Sequence, residues 1–123
     1  MVNLFTEDIE SSLDFYGGLL GFVETFRAPM EGDVEHIELA LDGFMIALST
    51  SEAAKRAHGI DAEPGSPAME LVFWTENLDA AYKMLVTAGV SLVKEPEDSG
   101  NNNRNALVRD PDGNFVVIVE KRS

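Results

Sequence analysis

The chain holds two histidines among 123 residues, and one of them, His36, stands in a segment that alternates like a strand. Glu38, two positions on, places a carboxylate on the same strand face as that imidazole. Glu70 heads a second apolar run. One His and two Glu are donor types of an open catalytic metal site, although a lone His in an alternating strand is more often a partly exposed polar residue. His58 falls between apolar segments and reads as solvated. No Ser-His-Asp order, glycine-rich phosphate loop or catalytic-lysine setting stands out, so no residue is assigned a catalytic role. With no cysteine, disulfides, thiolate ligands and a thiol nucleophile are excluded. Phe5, Met45, Trp74 and Phe115 share strand faces with these polar groups. Aromatic rings there suit a flat guest, and Glu38 and Glu70 suit a cationic or hydrogen-bond-donating one. Arg104 reads either as a counter-charge for a buried Glu or as a contact for an anionic group.

The elements that position these residues come as a repeat. Met1 to Thr6 is a short apolar run, Asp8 can cap a helix, and Ile9, Leu13, Tyr16 and Leu20 fall on one helical face. Gly21 offers a left-handed stop. Phe22 to Arg27 reads as a strand, Pro29 to Gly32 as a turn, and Val34 to Leu41 alternates up to Asp42-Gly43, a two-residue hairpin signal, with Phe44 to Leu48 returning. Residues 69–121 repeat the plan. Met69 to Trp74 is a strand, Asn77 caps a helix carrying Leu78, Ala81, Tyr82 and Leu85, and Val90 to Lys94 is a strand before Pro96. A hairpin then closes around Asp110 to Gly113. Thr6-Glu7-Asp8-Ile9 returns as Thr75-Glu76-Asn77-Leu78, and Asp42-Gly43 as Asp112-Gly113, at an almost constant offset. The expected fold is α+β: two tandem βαβββ modules, 1–49 and 69–121, in one domain. Residues 50–68 join them with a short helix near Ser51 to Ala57, and Glu97 to Asn103 reads as a mobile loop.

Hairpin geometry predicts which side chains share a face. A two-residue turn pairs Leu41 with Phe44, Leu39 with Ile46 and Ile37 with Leu48 on an apolar face suited to a helix. Ala40/Met45, Glu38/Ala47 and His36/Ser49 lie opposite. A four-residue turn at 110–113 pairs Val108 with Phe115, Ala106 with Val117 and Arg104 with Val119. Two such curved halves are expected to line a groove with their second faces.

Nine Lys and Arg against 22 Asp and Glu give a formal charge of −13. That field repels phosphate backbones and anionic lipid and enriches cations, so nucleic acid and membrane surfaces are poor partners. No apolar run reaches the roughly 20 residues of a membrane span and no signal peptide opens the chain, so the cytoplasm is expected.

Thr6 to Tyr16, followed by Leu19-Leu20-Gly21-Phe22, together with Asp110-Pro111-Asp112-Gly113-Asn114, resembles the vicinal oxygen chelate superfamily. That superfamily gathers glyoxalase I, bleomycin-resistance proteins, fosfomycin-modifying enzymes and extradiol dioxygenases. The resemblance implies metal-ligand positions at Met1, Ala47, Glu70 and Val117. Only Glu70 is a good ligand there, so the ordinary metal site reads as lost and no cofactor is expected. The function implied is non-catalytic binding or sequestration of a small aromatic, possibly cationic molecule, as in the bleomycin-resistance branch. The ligand-binding set is Phe5, His36, Glu38, Met45, Glu70, Trp74, Arg104 and Phe115. The alternatives are a metal-dependent lyase or dioxygenase with relocated ligands drawn from His36, Glu38 and Glu70, and a metal-free enzyme using a Glu as base. The resemblance also implies a homodimer.

Overall fold

A computed structural model gives residues 1–65, 70–100 and 103–121, without the side chains of 99 and 100. The chain divides into two compact units, Met1–Pro64 and Gly65–Ser123. Each carries a four-stranded sheet with the same strand order.

In the first unit, β1 (Val2–Thr6) lies parallel to β4 (Phe44–Thr50), which pairs antiparallel with β3 (His36–Leu41), and β3 with β2 (Val23–Ala28). The β3–β4 register is the one the Asp42-Gly43 turn demands, from Leu41 opposite Phe44 to His36 opposite Ser49. Both turn residues have positive φ, Asp42 at 49° and Gly43 at 83°, as a tight hairpin matched to strand twist requires. Leu4, Ile37, Leu39, Ile46 and Leu48 are buried on one side of the sheet, the side that receives the first helix.

That helix begins as predicted and continues differently. Asp8 caps α1 (Ile9–Leu13) by accepting from Ser11 N, but over Asp14–Leu19 the helix widens into a π turn. The wide turn is closed by Leu20 N donating to Phe15 O at 3.1 Å. One extra residue per turn rotates the buried face. Instead of Ile9, Leu13, Tyr16 and Leu20, the fully buried side chains are Ile9, Ser12, Phe15 and Tyr16, while Leu13 and Leu20 are half-buried. Phe15, Tyr16 and Phe22 then meet edge to face, with centroids 4.9 and 6.1 Å apart. Ser12 accommodates its burial by bonding Thr6 Oγ1 at 2.8 Å.

Thr50 caps α2 (Ser51–His58), and Gly59 at φ 69° ends it. Ala54 is its buried residue and packs the helix toward β4 and β1. The expected short helix is therefore present and extends one residue further, to His58.

The second unit repeats the order. β5 (Glu70–Trp74) lies parallel to β8 (Phe115–Lys121), β8 pairs with β7 (Asn103–Arg109), and β7 with the edge strand β6 (Ser91–Gly100). Asn77 caps α3 (Leu78–Thr87). Two expectations fail here. Residues 97–100 extend the edge strand instead of forming a loop. The pairing with β7 shifts register at three places, and Pro96 lies within the one between Lys94 and Glu97, which an edge strand tolerates because one of its sides needs no ladder partner. The closing turn also has three residues, not four. Asp110 N donates to Asn114 O, and Gly113 N donates to Asp110 O. The Asp110 carboxylate, itself buried, collects Asp112 N, Asn114 N and Asn114 Nδ2 at 2.8–3.0 Å. With Gly113 at φ 96°, this is a type I turn followed by a left-handed residue. The register therefore runs Arg109/Phe115, Leu107/Val117 and Asn105/Val119 on one face, with Val108/Val116, Ala106/Ile118 and Arg104/Glu120 on the other. The predicted pairs Val108/Phe115, Ala106/Val117 and Arg104/Val119 do not occur. Met69 and the Asn101-Asn102 pair of the predicted segments lie outside the described residues. No helix among the described residues is long and apolar enough to cross a membrane.

Candidate functional site

On the side of the first sheet away from α1, the β1–β4 and β3–β4 registers align Asn3 and Phe5 with Ala47 and Ser49, and these with Glu38 and His36. Phe26 of β2 joins them, its ring 6.2 Å from the His36 ring. The helix α2 rises beside this end of the sheet. A concavity of about 450 Å³ lies there, lined by Phe5, Asn3, His36 and Ser49 from the strands and by Ala53 and Ala57 from α2.

Its floor is a continuous polar chain. Glu38 Oε2 lies 2.9 Å from His36 Nε2, His36 Nδ1 lies 2.7 Å from Ser49 Oγ, and Ser49 Oγ donates to Asn3 Oδ1 at 2.9 Å. Ser49 is buried, while the His36 and Glu38 side chains keep 29% and 26% of their surface. A buried hydroxyl costs free energy unless bonded on both sides, and this chain satisfies it. At the rim, Arg56 is ion-paired with Glu35, and His58 stands exposed at the end of α2.

Of the sequence-predicted site residues, Phe5 and His36 line this concavity, and Glu38 reaches it through His36. Met45 shares the sheet face but sits opposite Ala40, exposed and outside the lining. Glu70, Trp74 and Phe115 occupy one face of the second sheet together with Val72 and Val117. Trp74 is 64% exposed, and Arg109 stacks over the Phe115 ring at 4.4 Å. Arg104 is misplaced by the turn. It lies on the face that α3 covers, bound by both guanidinium nitrogens to Asp79 at 3.1–3.2 Å and ion-paired to Glu120 at 3.5 Å. Asp79 first and Glu120 second hold its guanidinium above the usual arginine value. Glu120 also accepts from Leu78 N at 2.9 Å, so Arg104 helps pin α3 to the sheet.

Sequence reasoning missed Asn3 and Ser49 as site residues, and it missed His58, which lines the rim. Ser49 was legible, since the hairpin register already set it opposite His36. Asn3 shares strand parity with Phe5.

The metal that the resemblance implies does not fit these residues. Ala47 is buried and offers no donor, and Val117 offers none. Both ring nitrogens of His36 are already engaged. Among the described residues no group of three His, Cys, Asp or Glu side chains is placed to hold a metal ion.

Comparison with known proteins agrees with this fold. An uncharacterized protein of Mycolicibacterium smegmatis is 34% identical over 118 residues, covering 96% of this chain and 89% of that protein. The anthracycline biosynthesis protein DnrV of Streptomyces peucetius is 28% identical over 131 residues, which span 97% of this chain but 45% of DnrV. The crystal structure of a superfamily member from Sphaerobacter thermophilus matches with a TM-score of 0.77 at 28% identity, over 98% of this chain and 94% of that one. The sequence model of the glyoxalase/bleomycin resistance protein/dioxygenase superfamily matches residues 1–118. With the duplicated βαβββ units, that match means the chain belongs to this superfamily.

Proposed function

We propose that the protein binds a small, flat aromatic molecule in the concavity of its first unit and holds it without transforming it. The observation that carries this reading is the concavity of about 450 Å³, walled by Phe5 and the alanines of α2 and floored by the His36–Ser49–Asn3 chain. An apolar cleft of that size with a few convergent polar groups is what small-molecule sites commonly present, within about 300–1,000 Å³. Two further facts support it. The formal charge of −13 raises the local concentration of cationic guests. A relative covering nearly all of this chain is named for the biosynthesis of anthracyclines, which are flat polycyclic aromatics. Tight binding alone lowers a free concentration by mass action, so sequestration needs no reacting residue.

The test is calorimetric titration with a cationic anthracycline and a neutral anthraquinone. The cationic guest is expected to bind more tightly and to be recovered unchanged. Phe5→Ala should weaken binding about tenfold, from lost stacking and burial. Absence of binding at high micromolar concentration overturns the reading. So does turnover of the guest, or elemental analysis giving one metal per chain that is lost on Glu70→Ala.

A further inference from the structure

With a neutral imidazole and Asn3 accepting, the Glu38–His36–Ser49–Asn3 chain has one proton fewer than it has bonds to fill, and counting protons restricts its states. A carboxylate only accepts, so the proton between Glu38 and His36 sits on Nε2. The Ser49 hydroxyl has one proton and two partners, His36 Nδ1 and Asn3. In the state in which Ser49 donates to Asn3 Oδ1, Oγ can only accept from the His36 side, which requires a proton on Nδ1 as well and makes the ring an imidazolium. When the ring loses that proton, Nδ1 becomes an acceptor and Ser49 must turn its hydroxyl toward it. Oγ is then left needing a donor on the Asn3 side. The Asn3 amide supplies one by rotating half a turn, placing Nδ2 against Ser49. The atom of the amide not bound to Ser49 changes accordingly, from the NH2 group to the carbonyl oxygen. Asn3 lines the concavity and is solvent-exposed.

We propose that Asn3 is a specificity-determining residue whose polarity toward the ligand is set by the proton on His36. With the imidazolium, the site offers a hydrogen-bond donor and selects guests bearing a carbonyl or another acceptor. With the neutral ring it offers an acceptor and selects guests bearing N–H or O–H. This rests on the binding reading above and names the chemistry by which that site chooses. The charged and titratable groups near His36 are few. β3 supplies Glu38, the residue just before that strand is Glu35, and α2 supplies Arg56, paired with Glu35, and His58. β1, β4 and the adjoining end of β2 present Asn3, Phe5, Ser49, Phe26 and Ala28, none of which carries charge.

The experiment uses the full chain in a His58→Gln background, which leaves His36 the only imidazole, since the sequence has two histidines. Nitrogen-15 NMR follows the His36 ring and the Asn3 side-chain amide from about pH 5 to about pH 8. The Asn3 amide resonances are expected to titrate with the same midpoint as the ring. That coupling should vanish in Ser49→Ala, which removes one oxygen, and in His36→Gln, a second break that cannot titrate. Two flat tricyclic probes then read the consequence: 9-fluorenone, which only accepts, and carbazole, which only donates. Fluorenone should bind about fivefold more tightly at the acidic end than at the basic end, and carbazole the reverse, as one hydrogen bond gained or lost implies. An Asn3 amide that ignores the titration of His36 overturns the proposal, as does a fluorenone-to-carbazole affinity ratio that is constant with pH. Coupled titration with neither probe binding upholds the relay and sinks the binding reading instead.

Discussion

Asp8 shows how a single side chain carries both sequence signal and stability. Its carboxylate accepts from Ser11 N at 3.2 Å and Ser11 Oγ at 2.8 Å, and these bonds, the side-chain one first, hold it below the ordinary aspartate value of 3.8. A folded-state value below the unfolded one means that the contribution is complete above 3.8 and is lost as pH falls through the lower folded value. The melting temperature of the protein should therefore exceed that of Asp8→Ala near neutrality. The gap should close in the acid range below 3.8, as thermal melts across pH would record. Caps such as Asp8 and Asn77 are legible in sequence because the cap residue bonds its own near neighbours. His36 was legible as a candidate for a related reason: strand parity and a tight turn fix which side it faces. The chain of bonds running from it was not, since that depends on the side-chain torsions of Asn3 and Ser49 and on partners 46 and 13 residues apart.

At the scale of elements, two of the errors share one physical source, the count of residues in a turn. The two-residue hairpin gave its register directly. The second hairpin read wrongly because Asp110 turns its carboxylate back into the loop and draws Asn114 into pairing, a closure that spacing alone does not reveal. One residue of difference moved Arg104 from an expected ligand face to a staple between helix and sheet. The π turn rotated the first helix in the same way, and Pro96 hid an edge strand that tolerates it. The staple makes a prediction. Glu120→Ala removes the acceptor of Leu78 N and one of the two carboxylates paired with Arg104. Leaving that half-buried donor unpaired should cost about 1–2 kcal/mol in urea denaturation, with α3 amides losing exchange protection first.

At the scale of the whole molecule, the duplicated fold was written in the repeated Thr-Glu-Asx segment and the paired Asp-Gly turns, because local motifs survive where side-chain chemistry drifts. The ligand was not written there, since this fold hosts many chemistries on one scaffold. Assembly can be tested from the surface. Phe26 and Met45 on one face of the first sheet and Val72 and Trp74 on the second sheet are exposed, apolar side chains of the kind that subunit contacts cover. We expect the chain to pair in solution, and sedimentation showing only the 13.4 kDa species at micromolar concentration contradicts that. The closing turn of the second unit has a consequence for how such a gene can drift. Codon changes at Pro111 and Asp112 alter a surface loop, whereas loss or gain of a single codon there slides β8 against β7. The two faces of that strand would then exchange, with Val116 and Ile118 leaving the buried side and Phe115 and Val117 entering it. Selection should therefore hold the length of this loop more tightly than its spelling.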